Sequence, residues 1–401
     1  MGLNKIKKVI WIIHSRFTPI IQNTVFFDSF GGQYNDNPKY ISEKLHQLCP
    51  SIQIVWSVSD HGKEKPPHYA LQVQTGSREY YKYAFSSQAT VDNYTGLRVF
   101  GFQSKAFNSL LSRFAVKPGM LSISTWHGTP LKRIGSDYSK KNKKYYCSGT
   151  TYAVAGCLYT KEILEKAFGF YNKVKLYGTP RNDLLACEID NAVLKDKLGL
   201  PQDKKVVLFA PTFRDSIELS GVSQLRDFDI DALLAVLSKR FGGEFVFVFR
   251  VHHRVLEAVY SKDSGIYLNS NVHNGNMYDD MAEYLACTDV LITDYSGSLF
   301  DFALTGRPCF LYSPDREQYI NVERGLYIEY NSLPFPEADN IQVLLRNIEN
   351  FSQSKFDHDL RMFQQRIGNK EDGRASEIIA RDIIEHISKN KRRTTNESTN
   401  S

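Results

Sequence analysis

No stretch of this chain reaches the ~18 consecutive apolar residues that a membrane span requires. Apolar runs such as Val9–Ile13 and Phe245–Phe249 are the size of single strands. The opening M-G-L-N-K-I-K-K-V-I-W-I-I-H places charge before an apolar core, but that core ends at His14 and Arg16 without a small-residue cleavage site. It reads as a first strand and not as a secretory signal. Cysteine is sparse and unpatterned: Cys49, Cys147, Cys157, Cys187, Cys287 and Cys309 show neither C-x-x-C pairing nor a His at metal-ligand spacing. That argues against a zinc module or a disulfide framework and for buried thiols in a reducing cytoplasm. Charge of one sign is not in large excess, and a net +6 over 401 residues gives no reason to expect nucleic acid. No internal repeat of solenoid period appears.

What the chain does have is alternation. Strand-sized apolar runs at Val9–Ile13, Thr24–Phe27, Ile52–Val58, Ala89–Asp92, Leu121–Thr125, Tyr152–Ala155 and Val174–Tyr177 are separated by helical patterns. The same style resumes at Val206–Ala210, Phe245–Arg250, Val290–Thr293 and Cys309–Tyr312. This is the pattern of a layered α/β protein, and the length exceeds what one core usually serves. A polar helical stretch, Asn182–Asp203, divides the two halves. The expected domains are therefore 1–185 and 186–388, with Lys389–Ser401, charged and then rich in Thr, Asn and Ser, as a disordered tail.

Chemistry concentrates after the strands. Ser124–Arg133, S-T-W-H-G-T-P-L-K-R, sets His127 in a turn between a buried strand and the cations Lys132 and Arg133. A base working beside a phosphate needs that combination, although a turn histidine bonded to backbone reads the same way. Y-G-T-P leads to Arg181, and F-A-P-T-F leads to Arg214. Three such loops suggest an anionic ligand at the carboxyl ends of parallel strands. V-L-I-T-D-Y-S-G-S-L-F places Asp294, Ser296, Gly297 and Ser298 at a strand-to-helix turn, either an anion site or ordinary helix capping. Arg250 and His252 follow the strand F-V-F-V-F and share one side of an extended chain. Arg324 is a further loop cation, in E-R-G-L-Y. Lys140, Lys141, Lys143 and Lys144 form a basic run. Phe107, Leu110, Leu111 and Phe114, flanked by Lys105, Arg113 and Lys117, follow helical spacing and fit either an interfacial or a core-facing helix.

Taken in order, S-T-W-H-G-T-P-L-K, Y-G-T-P-R-N-D, F-A-P-T-F-R-D, R-V-H, L-I-T-D-Y-S-G-S-L-F-D-F and E-R-G-L-Y closely resemble the CDP-glycerol glycerophosphotransferase family of teichoic acid synthesis. F-D-S-F-G-G-Q-Y-N-D-N-P-K-Y-I and S-R-E-Y-Y-K-Y-A-F-S-S-Q-A-T-V-D-N look like that family's acceptor-domain signatures. The resemblance implies a GT-B-like α/β fold, two Rossmann-like domains facing a central cleft, with a late helix often crossing back to the first. It implies transfer of a polyol phosphate from CDP-glycerol or another CDP-polyol to a hydroxyl on a lipid-linked saccharide or polyol-phosphate acceptor, releasing CMP. His127 would be the catalytic base. Arg250, His252, Asp294, Ser296, Gly297, Ser298 and Arg324 would meet the donor, with Lys132, Arg181 and Arg214 as phosphate or acceptor contacts. Where the family usually has Asp-Tyr-Ser-Ser, Gly297 replaces the second serine. No metal site is expected among the residues, and a divalent ion on the donor pyrophosphate is left open. The protein is expected in the cytoplasm, peripheral on an anionic inner membrane face. The alternatives are a GT-B glycosyltransferase using a nucleotide sugar and a non-catalytic polyanion-binding envelope protein.

Overall fold

A computed structural model describes residues 3–93, 110, 113–138, 149–186, 191–212, 214, 221–226, 228–251, 259, 270–319 and 325–399. They form two compact units, Met1–His127 with Ile134–Asp183 and Lys370–Ser401, and Gly128–Arg133 with Leu184–Asn369. The boundary expected at 185/186 lies at Asp183/Leu184, while the segments 128–133 and 370–388 belong to the units opposite those expected for them, and 389–401 joins the first unit.

The first unit is built on seven parallel strands: β1 (Ile21–Asp28), β2 (Gln53–Val58), β3 (Leu71–Gln74), β4 (Ser87–Asp92), β5 (Leu121–Ser124), β6 (Tyr152–Val154) and β7 (Val174–Lys175). Their order is β3-β2-β1-β4-β5-β6-β7, with Val25 paired to Ile54 on one side and Ala89 on the other. Successive side chains of a strand point to opposite faces, so each strand feeds two cores. Val25, Phe27 and Trp56 pack with Ile41 and Leu45 of α2 (Asp36–Leu48) and with Ile379 and Ile383 of the C-terminal helix Ala375–Thr399. Phe26 and Val55 pack on the other face with Ile12 of α1 (Leu3–Ser15) and Tyr81 and Phe85 of α3 (Arg78–Ser86).

Val9–Ile13, expected as a strand, lies within α1. A five-residue apolar run carries no decisive period. Packing decides it: Ile12 is buried and Trp11 stacks on Tyr81 at 6.1 Å, while Ile10 and Ile13 face solvent. The tail is also corrected, because Lys389–Thr399 continues the C-terminal helix. Its packed turns supply the nucleus, after which each added residue is inexpensive to order as helix. That helix is held to the first unit by Y-G-T-P-R-N-D. The Asp183 carboxylate accepts from Ala375 N and Ser376 N (3.0 and 2.7 Å), and the Glu371 carboxylate accepts from Thr179 N and Asn182 Nδ2 (2.8 and 3.2 Å). Burial outweighs these bonds and raises the Asp183 pKa.

The second unit has six parallel strands: β8 (Lys205–Ala210), β9 (Phe245–Phe249), β10 (Val272–Asn274), β11 (Val290–Thr293), β12 (Cys309–Tyr312) and β13 (Glu337–Ala338), ordered β10-β9-β8-β11-β12-β13. β8, β9, β11 and β12 are continuous apolar runs because a parallel sheet is covered on both faces. The strands not anticipated, β3, β10 and β13, are short and partly polar, and each pairs at a sheet edge.

Candidate active site

In the first unit the strand order reverses between β1 and β4, the position where open parallel sheets bind ligands at their carboxyl ends. His127, just beyond β5, stands beside this point. Its Nδ1 lies 3.0 Å from the Asn93 carbonyl oxygen at the end of β4, and its ring lies 4.0 Å from Trp126 and 5.5 Å from Phe30, which follows β1. The backbone here is strained. Phe30, Asp36 and Trp126 are non-glycine residues at φ 45°, 57° and 51°, a region costly to L-residues. Hydrogen bonds hold them in place. Asn37 Nδ2 donates to the carbonyls of Thr125 and Trp126 (3.3 and 3.0 Å), Thr125 N donates to Asp92 O (2.7 Å), and Phe30 N donates to Asn93 Oδ1 (3.1 Å). Gly32 is required by close approach: a Cβ there would meet Thr75 Oγ1 at 2.6 Å and Ser59 N at 2.7 Å.

In the second unit the order reverses between β8 and β11. Asp294, beyond β11, is fully buried, and its Oδ1 accepts from Thr212 N and Tyr295 N (2.8 and 2.6 Å). Arg214 donates to Asp294 Oδ2 and makes a two-pronged contact with Asp315, Nε to Oδ2 at 2.8 Å and Nη2 to Oδ1 at 3.0 Å. The stacked rings of Tyr295 and Tyr319 lie alongside the guanidinium. Burial alone would lower the Arg214 pKa, but the two carboxylates hold it above its ordinary value. Past this node the Ser298 N–H and hydroxyl both donate to Ser296 Oγ (3.3 and 2.9 Å). The Thr129 carbonyl lies against Gly297, where a Cβ would meet it at 2.8 Å. The segment after His127 also runs antiparallel to residues 325–327: Arg133 N donates to Gly325 O and Tyr327 N to Leu131 O, 2.9 Å each, with a bridge between Lys132 and Leu326.

Four residues expected at ligand contacts, Arg181, Arg214, Asp294 and Arg250, are bonded to groups of the protein itself. Arg181 pairs with Asp36 at 3.0 Å, and its backbone N donates to Asn37 Oδ1. The guanidinium of Arg214, with a fully buried side chain, is spent on Asp294, Asp315 and the Thr212 carbonyl, and Asp294 is spent in turn on Arg214 and two amides. Arg250 donates to the carbonyls of Gly275, Tyr278 and Asp279 (2.5, 2.7 and 2.7 Å). Each cation was expected to meet an anionic ligand, and the oxygens it meets here belong to the protein. Ser296, Gly297 and Ser298 do share one turn with Asp294, and Lys132 lies on the segment paired with Leu326. His252, Arg324, Lys140–Lys144 and Lys105 lie outside the described residues. Lys117, read as a flanking cation of an interfacial or core-facing helix, is buried and donates to Thr18 O at 2.7 Å and Ser86 Oγ at 3.0 Å. Asn93, Ser29, Phe30 and Asn37 were not singled out as site residues. Their signal was the density of Asn, Asp and Gly directly after two strands. Among the described residues no three His, Cys, Asp or Glu side chains gather as a metal site.

Two parallel sheets, each with polar loops at its reversal point, define a GT-B-like protein of two Rossmann-like domains. Residues 11–385 match the family profile described as CDP-glycerol:poly(glycerophosphate) glycerophosphotransferase, and the chain belongs to that family. It is 31% identical over 382 residues to the teichoic acid poly(glycerol phosphate) polymerase of Staphylococcus epidermidis, covering 90% of this chain and 50% of that protein. It is 29% identical over 418 residues to the teichoic acid glycerol-phosphate transferase of Staphylococcus aureus, covering 95% and 99%. The solved structure of the wall teichoic acid polymerase TagF superposes with a TM-score of 0.77 at 26% identity, over 97% of this chain and 95% of that one. The chain spans about half the length of the polymerases it matches from S. epidermidis and Bacillus subtilis.

Proposed function

We propose that this chain transfers a polyol phosphate, glycerol phosphate in the first place, from a CDP-linked donor to a hydroxyl of a lipid-linked acceptor in teichoic acid or related envelope-polymer synthesis. The observation that carries the proposal is His127, held at the reversal point of the first sheet among three strained residues. Its imidazole takes the acceptor proton as the hydroxyl oxygen attacks the β-phosphorus. The bond between that phosphorus and the bridging oxygen breaks, and the electron pair leaves on CMP. Little covalent work falls to the protein, so positioning and charge stabilisation dominate, with a base contributing about 10²- to 10⁴-fold. The hydroxyls of Ser296 and Ser298, with His252 and Arg324, are assigned to the donor phosphates. Asp294 and Arg214 are assigned to holding the turn that leads into Ser296 and Ser298, and Arg250 to holding the loop that carries Gly275, Tyr278 and Asp279. Glycerol is favoured over ribitol by the relatives named for glycerol phosphate that match at least 90% of this chain.

The lipid-linked acceptor implies contact with an anionic membrane face. Ile10, Ile13, Phe17, Leu110 and Phe114 are exposed large apolar residues of the first unit. Arg16 joins the two groups, donating to the carbonyls of Arg113 and Val116 (3.1 and 3.2 Å) with its guanidinium 4.9 Å from the Phe114 ring. Among the described residues no helix is long and apolar enough to cross a membrane. An interfacial patch supports peripheral binding instead.

The test incubates purified protein with CDP-glycerol or CDP-ribitol and a lipid-linked acceptor and measures CMP. CMP release with CDP-glycerol, lost in His127→Ala with donor binding kept, is expected. Activity of that variant within tenfold of wild type overturns the base assignment, and nucleoside diphosphate release from a nucleotide sugar in place of CMP overturns the reaction. Sedimentation with anionic vesicles should be lost in Phe17→Asp/Phe114→Asp; unchanged sedimentation rejects the patch.

A further inference from the structure

The environment of His127 specifies which ring nitrogen carries the proton. A backbone carbonyl oxygen can only accept, so the Nδ1 that faces Asn93 O at 3.0 Å must be the protonated nitrogen. We propose that Asn93 is the positioning residue of the catalytic base, holding His127 in the Nδ1–H tautomer so that Nε2 presents the lone pair to the acceptor hydroxyl. This inference rests on the assignment of His127 as the base.

The carbonyl is itself fixed by a directional chain of buried groups. Asn93 is fully buried, its Oδ1 accepts from Phe30 N at 3.1 Å, and its Nδ2 donates to Ser29 Oγ at 2.9 Å. Ser29 is also fully buried and donates onward to Asn35 Oδ1 at 2.5 Å, while Asn35 Nδ2 donates to Gln33 Oε1 at 2.9 Å. Each of these bonds runs from a donor to an acceptor, which favours one orientation of the Asn93 side chain. A buried network of this kind specifies geometry, because a rearrangement strands a polar group. The rings of Trp126 and Phe30 flank the imidazole and restrict its rotation. The loops after β1, β4 and β5 thereby converge on one nitrogen.

Long-range ¹H–¹⁵N correlation spectra of protein labelled at histidine distinguish the two neutral tautomers, and the His127 signals are identified by their loss in His127→Ala. The wild-type protein is expected to show Nδ1–H. Ser29→Ala removes the acceptor of Asn93 Nδ2 and should give a mixture of tautomers. Its kcat should fall about 10- to 100-fold, the scale of a small misplacement of a catalytic group. KM for CDP-glycerol should be unchanged, since the donor is held elsewhere. Asn93→Asp, which keeps the acceptor for Phe30 N but loses the Nδ2 donor, should behave alike and serves if Ser29→Ala does not fold. An Nε2–H signal in the wild type, or a pure Nδ1–H signal with unaltered kcat in both variants, overturns the proposal. If His127→Ala retains transfer, the base assignment falls on that measurement alone, whereas the spectra judge the tautomer independently.

Discussion

Arg214→Ala should cost the second unit stability before it costs chemistry. The Arg214 and Asp294 side chains are 0% and 1% exposed, and Asp315 is 9% exposed, so the three charges are nearly dry. Removing the guanidinium leaves two carboxylates facing each other with no cation between them. It also strips a donor from the Thr212 carbonyl, at the end of a strand beside the reversal point. Breaking a buried pair by deleting one partner costs roughly 3–5 kcal/mol, or about two to four powers of ten in the folded-to-unfolded ratio. Against a typical domain stability of about 5–15 kcal/mol this lowers the unfolding midpoint severely without always abolishing the fold. Arg214→Lys keeps the charge and loses the planar fork that meets Asp315, and should fall between wild type and Ala. Urea unfolding, followed by far-ultraviolet circular dichroism and by CDP-glycerol binding under folding conditions, separates the roles. The reasoning fails if Arg214→Ala unfolds at the wild-type midpoint yet no longer binds CDP-glycerol, for then the guanidinium reaches the donor.

Gly297→Ala, and equally Gly297→Ser, would drive a Cβ against the Thr129 carbonyl. Overpacking of this kind costs about 1–3 kcal/mol, and because the displaced segment begins directly after His127, CMP release should fall about tenfold or more. Wild-type activity in both variants would show that the segment yields freely. Burial pushes the Lys117 pKa down to about 8 from 10.5, so the folded state binds the proton less readily than the unfolded chain. The resulting penalty is fully present below about pH 8 and is relieved as pH rises from there towards about 10.5. Wild-type stability relative to Lys117→Met should therefore increase between roughly pH 7 and pH 9.5, as read from urea midpoints. A difference that stays flat or falls refutes the shift.

Much of this protein is local in its sequence. Strands β8, β9, β11 and β12 are legible because a parallel strand buried on both faces must be apolar throughout, whatever packs on it. His127 stands out because it sits in a turn between a buried strand and two cations, although a turn histidine bonded to backbone reads the same way. The order of motifs is enough to identify the family. Other features depend on partners far along the chain. An arginine after a strand looks the same whether it awaits a phosphate or already holds a carboxylate. The partners of Arg181 and Arg214, Asp36 and Asp315, lie 145 and 101 positions away. Val9–Ile13 is strand-sized by hydrophobicity, and only its packing on Tyr81 makes it helical. The proton on His127 was equally invisible, since the carbonyl that selects it lies 34 positions earlier and reaches the ring only when β4 and β5 pair. Sequence determines which groups can accept or donate a proton or a charge. The tertiary fold decides which of them meet, because burial forces each charged or polar group to find its partner wherever the chain brings one within about 3 Å.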